Sequence, residues 1–217
     1  MSKDKPKWKK RVLYTVIILL VFIVMYKYLL LPALLSWGAT AREYNNALPG
    51  DELLLHKDYK NTLAVTVQVP PSKLWPWVAQ MGLHKAGFYS YTALENLFGC
   101  NLHNADRIHA EWQRPQEGDI EPVCQSAEGK PNSGWQIAVV EERKALVWQG
   151  VNGAQWMMGV YIDSVNNNTS RLITRQQFQY PAKGSLNWWL EKLWFEWAHC
   201  IMQRGMITGI KERAEQS

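Results

Sequence analysis

Residues 135–213 read WQIAVVEERKALVWQGVNGAQWMMGVYIDSVNNNTSRLITRQQFQY (Trp135–Tyr180), then PAKGSLNWWLEKLWFEWAHCIMQRGMITGIKER (Pro181–Arg213); their hydrophobic period changes once, and that change decides the fold. The first part breaks into short β-rich runs, Trp135–Glu141, Ala145–Gln149, Trp156–Asp163 and Arg171–Tyr180, separated by turn residues. Asn166-Asn167-Asn168 reads as the hairpin loop between the last two. From Ser185 to Arg213 the period lengthens to that of one long helix, with Leu186, Leu190, Leu193, Trp197, Ile201 and Ile210 as its apolar stripe.

Working outward, Asp119–Val123 adds a further strand. Leu63, Val65, Val67 and Val69 alternate with Thr62, Ala64, Thr66 and Gln68 in an earlier, half-buried one. Pro70-Pro71 ends that strand, and Ser72 is placed to cap a helix through Met81, with Gly82 just past its end. A second short helix is expected over Thr92–Phe98, with Thr92 and Glu95 as a capping box and Gly99 as its stop. The order is strand, two short helices, about five antiparallel strands and a long final helix. This predicts an α+β fold in which a curved antiparallel sheet wraps a long C-terminal helix, and incomplete closure of the two leaves a cavity.

Upstream, Val12–Leu35 is apolar except for Lys27 and Pro32. At 1.5 Å per residue it reaches ~36 Å, enough for a hydrocarbon core of ~30 Å. Tyr26, Tyr28 and Trp37 supply interfacial aromatics at its far end, where Lys27 can snorkel. Ahead of it stand Lys3, Lys5, Lys7, Lys9, Lys10 and Arg11 against Asp4, so the net charge of +5 resides in this tail. The rest of the chain carries equal numbers of each sign. The basic excess therefore reads as topology, with a cytoplasmic N-terminus and an extracytoplasmic C-terminal domain, and nucleic acid is not an expected partner. Ala39-Thr40-Ala41 offers a signal-peptidase alternative, but the apolar run is longer than a signal h-region. The expected organisation is a basic tail (1–11), a transmembrane helix (12–35), a connector (36–61) containing the turn Leu48-Pro49-Gly50-Asp51, and one domain (62–217).

Apolar residues make up 47% of the chain, which excludes disorder, and twelve tryptophans call for a large core, a wide apolar pocket or a surface at the lipid interface. Three cysteines leave at least one thiol unpaired; a Cys100–Cys124 bridge is possible in an oxidising compartment, and Cys200 lies in a helical, apolar context.

The segment GFYSYTALENLFGCNLHNADRIHAEWQRPQEGD (Gly87–Asp119) resembles the START-like, helix-grip superfamily (SRPBCC, the polyketide cyclase and lipid-transport type, related to Bet v 1). It is most similar to a branch of uncharacterised, often membrane-anchored bacterial proteins. The resemblance extends to Trp37-Gly38-Ala39-Thr40 with Glu43, to Leu48–Leu53, and to Pro71, Trp75-Pro76-Trp77 and Gln80-Met81-Gly82. It implies the helix-grip fold and a cavity, and leaves the chemistry open, because that superfamily holds carriers, hormone binders and cyclases alike.

The densest polar set is Tyr89, Tyr91, Glu95, Asn96, His103, Asn104, Asp106, Arg107 and Glu111, with Trp112 and Gln113 beside it. These groups either orient the polar end of an apolar ligand or cap helix ends and fix an irregular loop. Trp77, Trp135, Trp148 and Trp156 are the expected apolar walls. Cys100, His103, Asp106 and His109 recur every three residues and are possible zinc ligands, but the spacing matches no zinc signature, and no metal or cofactor is expected. In the last helix Trp189, Leu193 and Trp197 share a face expected in the core, whereas Trp188 and Phe195 are placed to touch a bilayer or gate the cavity. Gly205-x-x-x-Gly209 permits close packing of helix on sheet. The first functional expectation is membrane-tethered binding of a lipid or other hydrophobic small molecule. The alternatives are a cyclase- or hydratase-type enzyme using Glu95, His103, Asp106 or Glu111, and an interaction module with a filled core. The expected partners are the membrane and that hydrophobic molecule; the sequence leaves protein partners open.

Overall fold

The computed structural model describes residues 7–97, 99–122, 124 and 134–217. Lys3 and Lys5 of the basic tail, Phe98 at the expected helix end and Val123 at the expected strand end lie outside the described residues. The chain opens with one apolar helix (α1, Trp8–Leu35), long enough to cross a membrane and without contacts that bury it over its first two thirds. A π-helical turn at Tyr26–Leu30 interrupts it. Pro32 explains this turn: it offers no N–H to the carbonyl of Tyr28, and its ring crowds that carbonyl. Leu34 and Leu35 then pack on Tyr59, Phe178 and Cys200, and a short helix follows (α2, Ala41–Asn45), capped by Thr40.

Six antiparallel strands follow: β1 (Tyr59–Val67), β2 (Ile120–Glu121), β3 (Trp135–Glu141), β4 (Ala145–Gly150), β5 (Trp156–Asn166) and β6 (Thr169–Phe178). They lie in the order β1-β6-β5-β4-β3-β2. The expected strands are present with ends moved by a few residues. The Asn-rich hairpin turns as expected, with Asn166 opposite Thr169.

Alternation places two apolar sets on opposite faces of the sheet. Leu63, Leu146, Trp148, Val160 and Leu172 meet helix α3 (Pro71–Ala79) and the C-terminal helix in the main core. Ala64, Val147, Met157, Tyr161 and Ile173 are covered by Leu48, Leu53 and Leu54. Gly50 lets the chain approach that closely: its φ is +91°, and a Cβ there would sit 2.6 Å from Cγ1 of Val147. Beside it, the fully buried Arg175 donates to Asp51 Oδ2 (2.6 Å), Thr62 Oγ1 and the carbonyls of Glu43, Tyr44 and Asn46. A buried guanidinium needs such a set, because each unmet donor would carry a full desolvation cost.

Three local expectations are corrected. Ser72 is not the cap of α3: Pro71 takes the first helical position and Pro70 the cap, since a proline there loses no intrahelical hydrogen bond. Thr92 does not precede helix α4 (Thr92–Leu97) but opens it, and Glu95 donates its backbone N–H to Tyr91 O in that first turn. The last helix starts as expected, Ser185 accepting from Trp188 N, and runs as α5 (Leu186–Leu190), a π-helical turn (Glu191–Phe195) and α6 (Glu196–Gln216). Its expected stripe is periodic, but the upstream half faces away from the protein. The core-facing side chains are Cys200, Gln203, Met206, Ile207, Ile210 and Ala214, all downstream of Phe195. Leu186, Trp189, Leu190 and Leu193 stand exposed.

Candidate functional site

Between α6 and the sheet lies a recess of about 160 Å³. His199, Met202, Gln203 and Met206 form its helical wall; their spacing of three, four and seven puts them on one face. Trp156 and Met158, two apart on β5, form the sheet wall with Trp135 and Gln176, and Met158 is register partner of Gln176. Phe88, Ser90, Glu95, Cys100, Leu102 and Cys124 close the remaining side. Cys100 and Cys124 are joined in a disulfide, so Cys100 is no thiolate ligand in the His103–Asp106–His109 stretch.

The lining is mainly apolar, with a few polar groups. Burial lifts the Glu95 carboxyl to about 7, and its Oε2 is buried with no hydrogen-bond partner. Burial lowers His199 to about 4, and its Nδ1 lies 3.3 Å from Nε2 of Gln176. The Oε1 of Gln176 is buried and unpartnered. Both ionisable groups are pushed toward their neutral forms by the same cause, a wall that solvates charge poorly. Beneath them Asn61 donates to Gln203, and Tyr59 donates to Glu196 O at 3.1 Å.

Of the residues expected to bind a ligand, the recess gathers Glu95, Trp135 and Trp156. Trp77 and Trp148 are instead packed in the main core, each with an unpartnered indole N–H. They fill space rather than border it, both almost completely buried among the core side chains. Tyr89 is buried with its hydroxyl accepting from Gln80 Nε2 (2.8 Å). Asn104 accepts from Tyr89 N and donates to Ser90 O, and Asn96 clamps the backbone of Leu102. Arg107 takes part through its carbonyl, which accepts from Gln80 Nε2, and Gln113 donates to the Gln80 side chain. These polar groups shape the loop that carries Phe88, Ser90 and Leu102. His103, Asp106 and Glu111 are exposed, Tyr91 is largely so, and Trp112 stacks on His109 at 4.1 Å. Gly205 and Gly209 do allow a close approach, but to this loop rather than the sheet. A Cβ on Gly209 would lie 2.1 Å from Tyr89 O, and one on Gly205 2.7 Å from the Tyr91 ring.

Sequence reasoning missed His199, Gln176 and the methionines. The face His199-Met202-Gln203-Met206, too polar for core and too apolar for solvent, was the available signal.

No family model matches the chain. Syringomycin synthase SyrB1 of Pseudomonas syringae pv. syringae is 25% identical over 114 residues, 52% of this chain and 17% of that protein, so this chain spans about a sixth of the relative's length. Among solved structures, the hypothetical protein jhp0584 of Helicobacter pylori superposes with a TM-score of 0.50 at 13% identity, covering 78% of this chain and 96% of its own. Ara h 8.0201 gives 0.44 at 13% identity, over 73% of this chain and 99% of its own. The Zhui aromatase/cyclase from Streptomyces sp. R1128 gives 0.41 at 13%, over 73% and 94%. With the first of these structures the chain shares a distant likeness in fold, that of a small α+β domain with a long C-terminal helix.

Proposed function

We propose that the protein is a membrane-tethered binding module of the helix-grip type, which holds a small neutral hydrophobic molecule, or the end of one lipid chain, between its sheet and terminal helix. The observation that carries this is the recess itself: an apolar lining in which Glu95 and His199 are both held toward neutrality. Such a wall accepts uncharged ligands and rejects ions, since a buried charge without a partner is expensive. Its 160 Å³ is benzene-sized and well below the ~300–1,000 Å³ of drug-sized pockets, so a whole lipid is not enclosed. Trp135 and Trp156 would flank the ligand, Glu95 and Gln176 would meet its polar atom, and the Tyr89–Arg107 loop would hold that side of the wall. α1 would span the bilayer with the domain on the extracytoplasmic side, where the Cys100–Cys124 bridge is stable.

The test is solvent extraction of the full chain purified in detergent, followed by mass spectrometry. A neutral hydrophobic compound at about one per chain is expected; an extract indistinguishable from detergent blanks contradicts the reading.

A second reading rests on Glu95. A carboxyl near 7 in an apolar recess can donate and recover a proton, as a cyclase- or hydratase-type reaction requires. It predicts turnover of the extracted compound that Glu95→Gln abolishes while binding survives.

A further inference from the structure

Five large apolar side chains of the last helix stand in solvent on one stripe: Leu186, Trp189, Leu190, Leu193 and Trp194, exposed by 75, 50, 44, 68 and 52%. Their spacing of three, four, seven and eight is that of a single helix face. Soluble monomers rarely expose a contiguous apolar face of this kind, which marks a surface that meets protein or membrane. The opposite side is fastened to the domain. Lys192 Nζ donates to Tyr180 Oη at 2.9 Å, and the Tyr180 hydroxyl in turn donates to Glu196 Oε1. The indole N–H of Trp197 is satisfied by Leu193 O at 3.0 Å, so its ring needs no water.

The occupant follows from where this face sits. Leu31 and Leu35 at the end of α1 share one groove with Lys192 and Glu196. If the hydrocarbon core takes ~20 residues of α1 from Val12, then Leu31 stands at the far headgroup level. The apolar face of residues 186–194 is therefore at that same level. Tryptophans and leucines on one side of a helix, with Lys183 and Lys192 nearby, are the composition that rests in the lipid interface.

The geometry points to a second membrane contact: residues 186–194 lie in the plane of the bilayer that α1 crosses, their apolar face buried at the headgroup–acyl boundary. This rests on α1 being a membrane span. It also brings the recess to the lipid surface, because the Phe195 ring, next in sequence to the last residue of the stripe, has its centroid 6.2 Å from that of His199 in the recess wall.

The test uses the full chain in phosphatidylcholine vesicles, with single cysteines carrying an environment-sensitive fluorophore. Cys200 is buried and the other two native cysteines are bonded, so the introduced thiol is the one that reacts. Leu190→Cys and Leu193→Cys report on the stripe, Ile18→Cys on α1, and Val165→Cys, on the β5–β6 hairpin, on a site away from it. Expected are blue-shifted emission and its loss to nitroxide-bearing lipids at positions 190, 193 and 18, and neither at 165. Loss at 18 with unshifted, unquenched emission at 190 and 193 overturns the inference and leaves the anchor standing. A blue shift at 190 and 193 without nitroxide quenching means protein covers the face, most simply a second copy, and also overturns it. No quenching at 18 removes the anchor itself, and the inference with it.

Discussion

The indole of Trp135 lies flat on that of Trp156, with ring centroids 4.3 Å apart and planes 12° from parallel. The pair joins β3 to β5 across the recess wall, and Phe88 meets Trp135 edge-on at 5.3 Å. Trp156→Ala removes a face of that wall. Truncation of a well-packed Trp costs ~3–5 kcal/mol, and partial exposure places this one near the lower value. Trp135→Phe keeps an aromatic face and is expected to cost about 1 kcal/mol. Denaturant unfolding of the detergent-solubilised chain measures both; equal losses would mean the stack is not what holds the wall.

Glu95 and His199 give opposite pH signatures. Glu95 rises from its ordinary 4.5 to about 7, so between those values the folded state keeps a proton the unfolded chain has released, and stability falls as pH rises. His199 drops from 6.5 to about 4, so between those values the unfolded chain binds a proton the folded state refuses, and stability rises with pH. Glu95→Gln is expected to steepen the rise in stability between pH 4 and 6.5 relative to wild type, and His199→Gln to steepen the fall between 4.5 and 7. Each difference is about 1–2 kcal/mol once solvent screening of partly exposed groups is allowed for. Unfolding curves across that range decide it; unchanged slopes would place both groups in water.

Asp51→Ala leaves the Arg175 guanidinium buried with four of its five acceptors and without its counter-charge. Breaking one side of a buried pair costs ~3–5 kcal/mol. A loss of about 3 kcal/mol is expected, against under 1 kcal/mol for Glu142→Ala on the exposed Arg143–Glu142 pair. Parallel thermal melts compare them, and similar small losses would contradict the account of Arg175 as the clamp for residues 43–51.

Reduction of Cys100–Cys124 releases a loop whose ends are 24 residues apart and removes one wall of the recess. The loop-entropy estimate is a loss of ~3 kcal/mol. Unfolding with and without reductant measures it, and ligand retention is expected to fall in step.

Much of this architecture was written in sequence periods. Strand alternation located the sheet, the Asn run located its hairpin, and Ser185 located the start of the last helix. What periodicity does not encode is which neighbour a face meets. The stripe from Leu186 to Trp197 was legible as a stripe, yet in the fold its upstream half points outward, because a period says nothing of which direction is inside. The same blindness affected the tryptophans: Trp148 and Trp156 carry identical signals, and only the register of β4 and β5 separates a core filler from a recess wall. Glu95 was visible as a candidate acid. His199 was not, since its role arises from Gln176, 23 residues away on β6, and from burial that no local pattern records.

Methionine methyl resonances offer the most direct test that the recess binds small neutral hydrophobic molecules. Met158, Met202 and Met206 line it, whereas Met157 is fully buried on the opposite face of the sheet and Met25 lies in α1. With methyl-labelled full chain in detergent, titration of a benzene-sized neutral compound should shift the 158, 202 and 206 signals along one saturable curve. Met157 should not move. Shifts absent from those three, or shared equally with Met157 and Met25, would contradict the account.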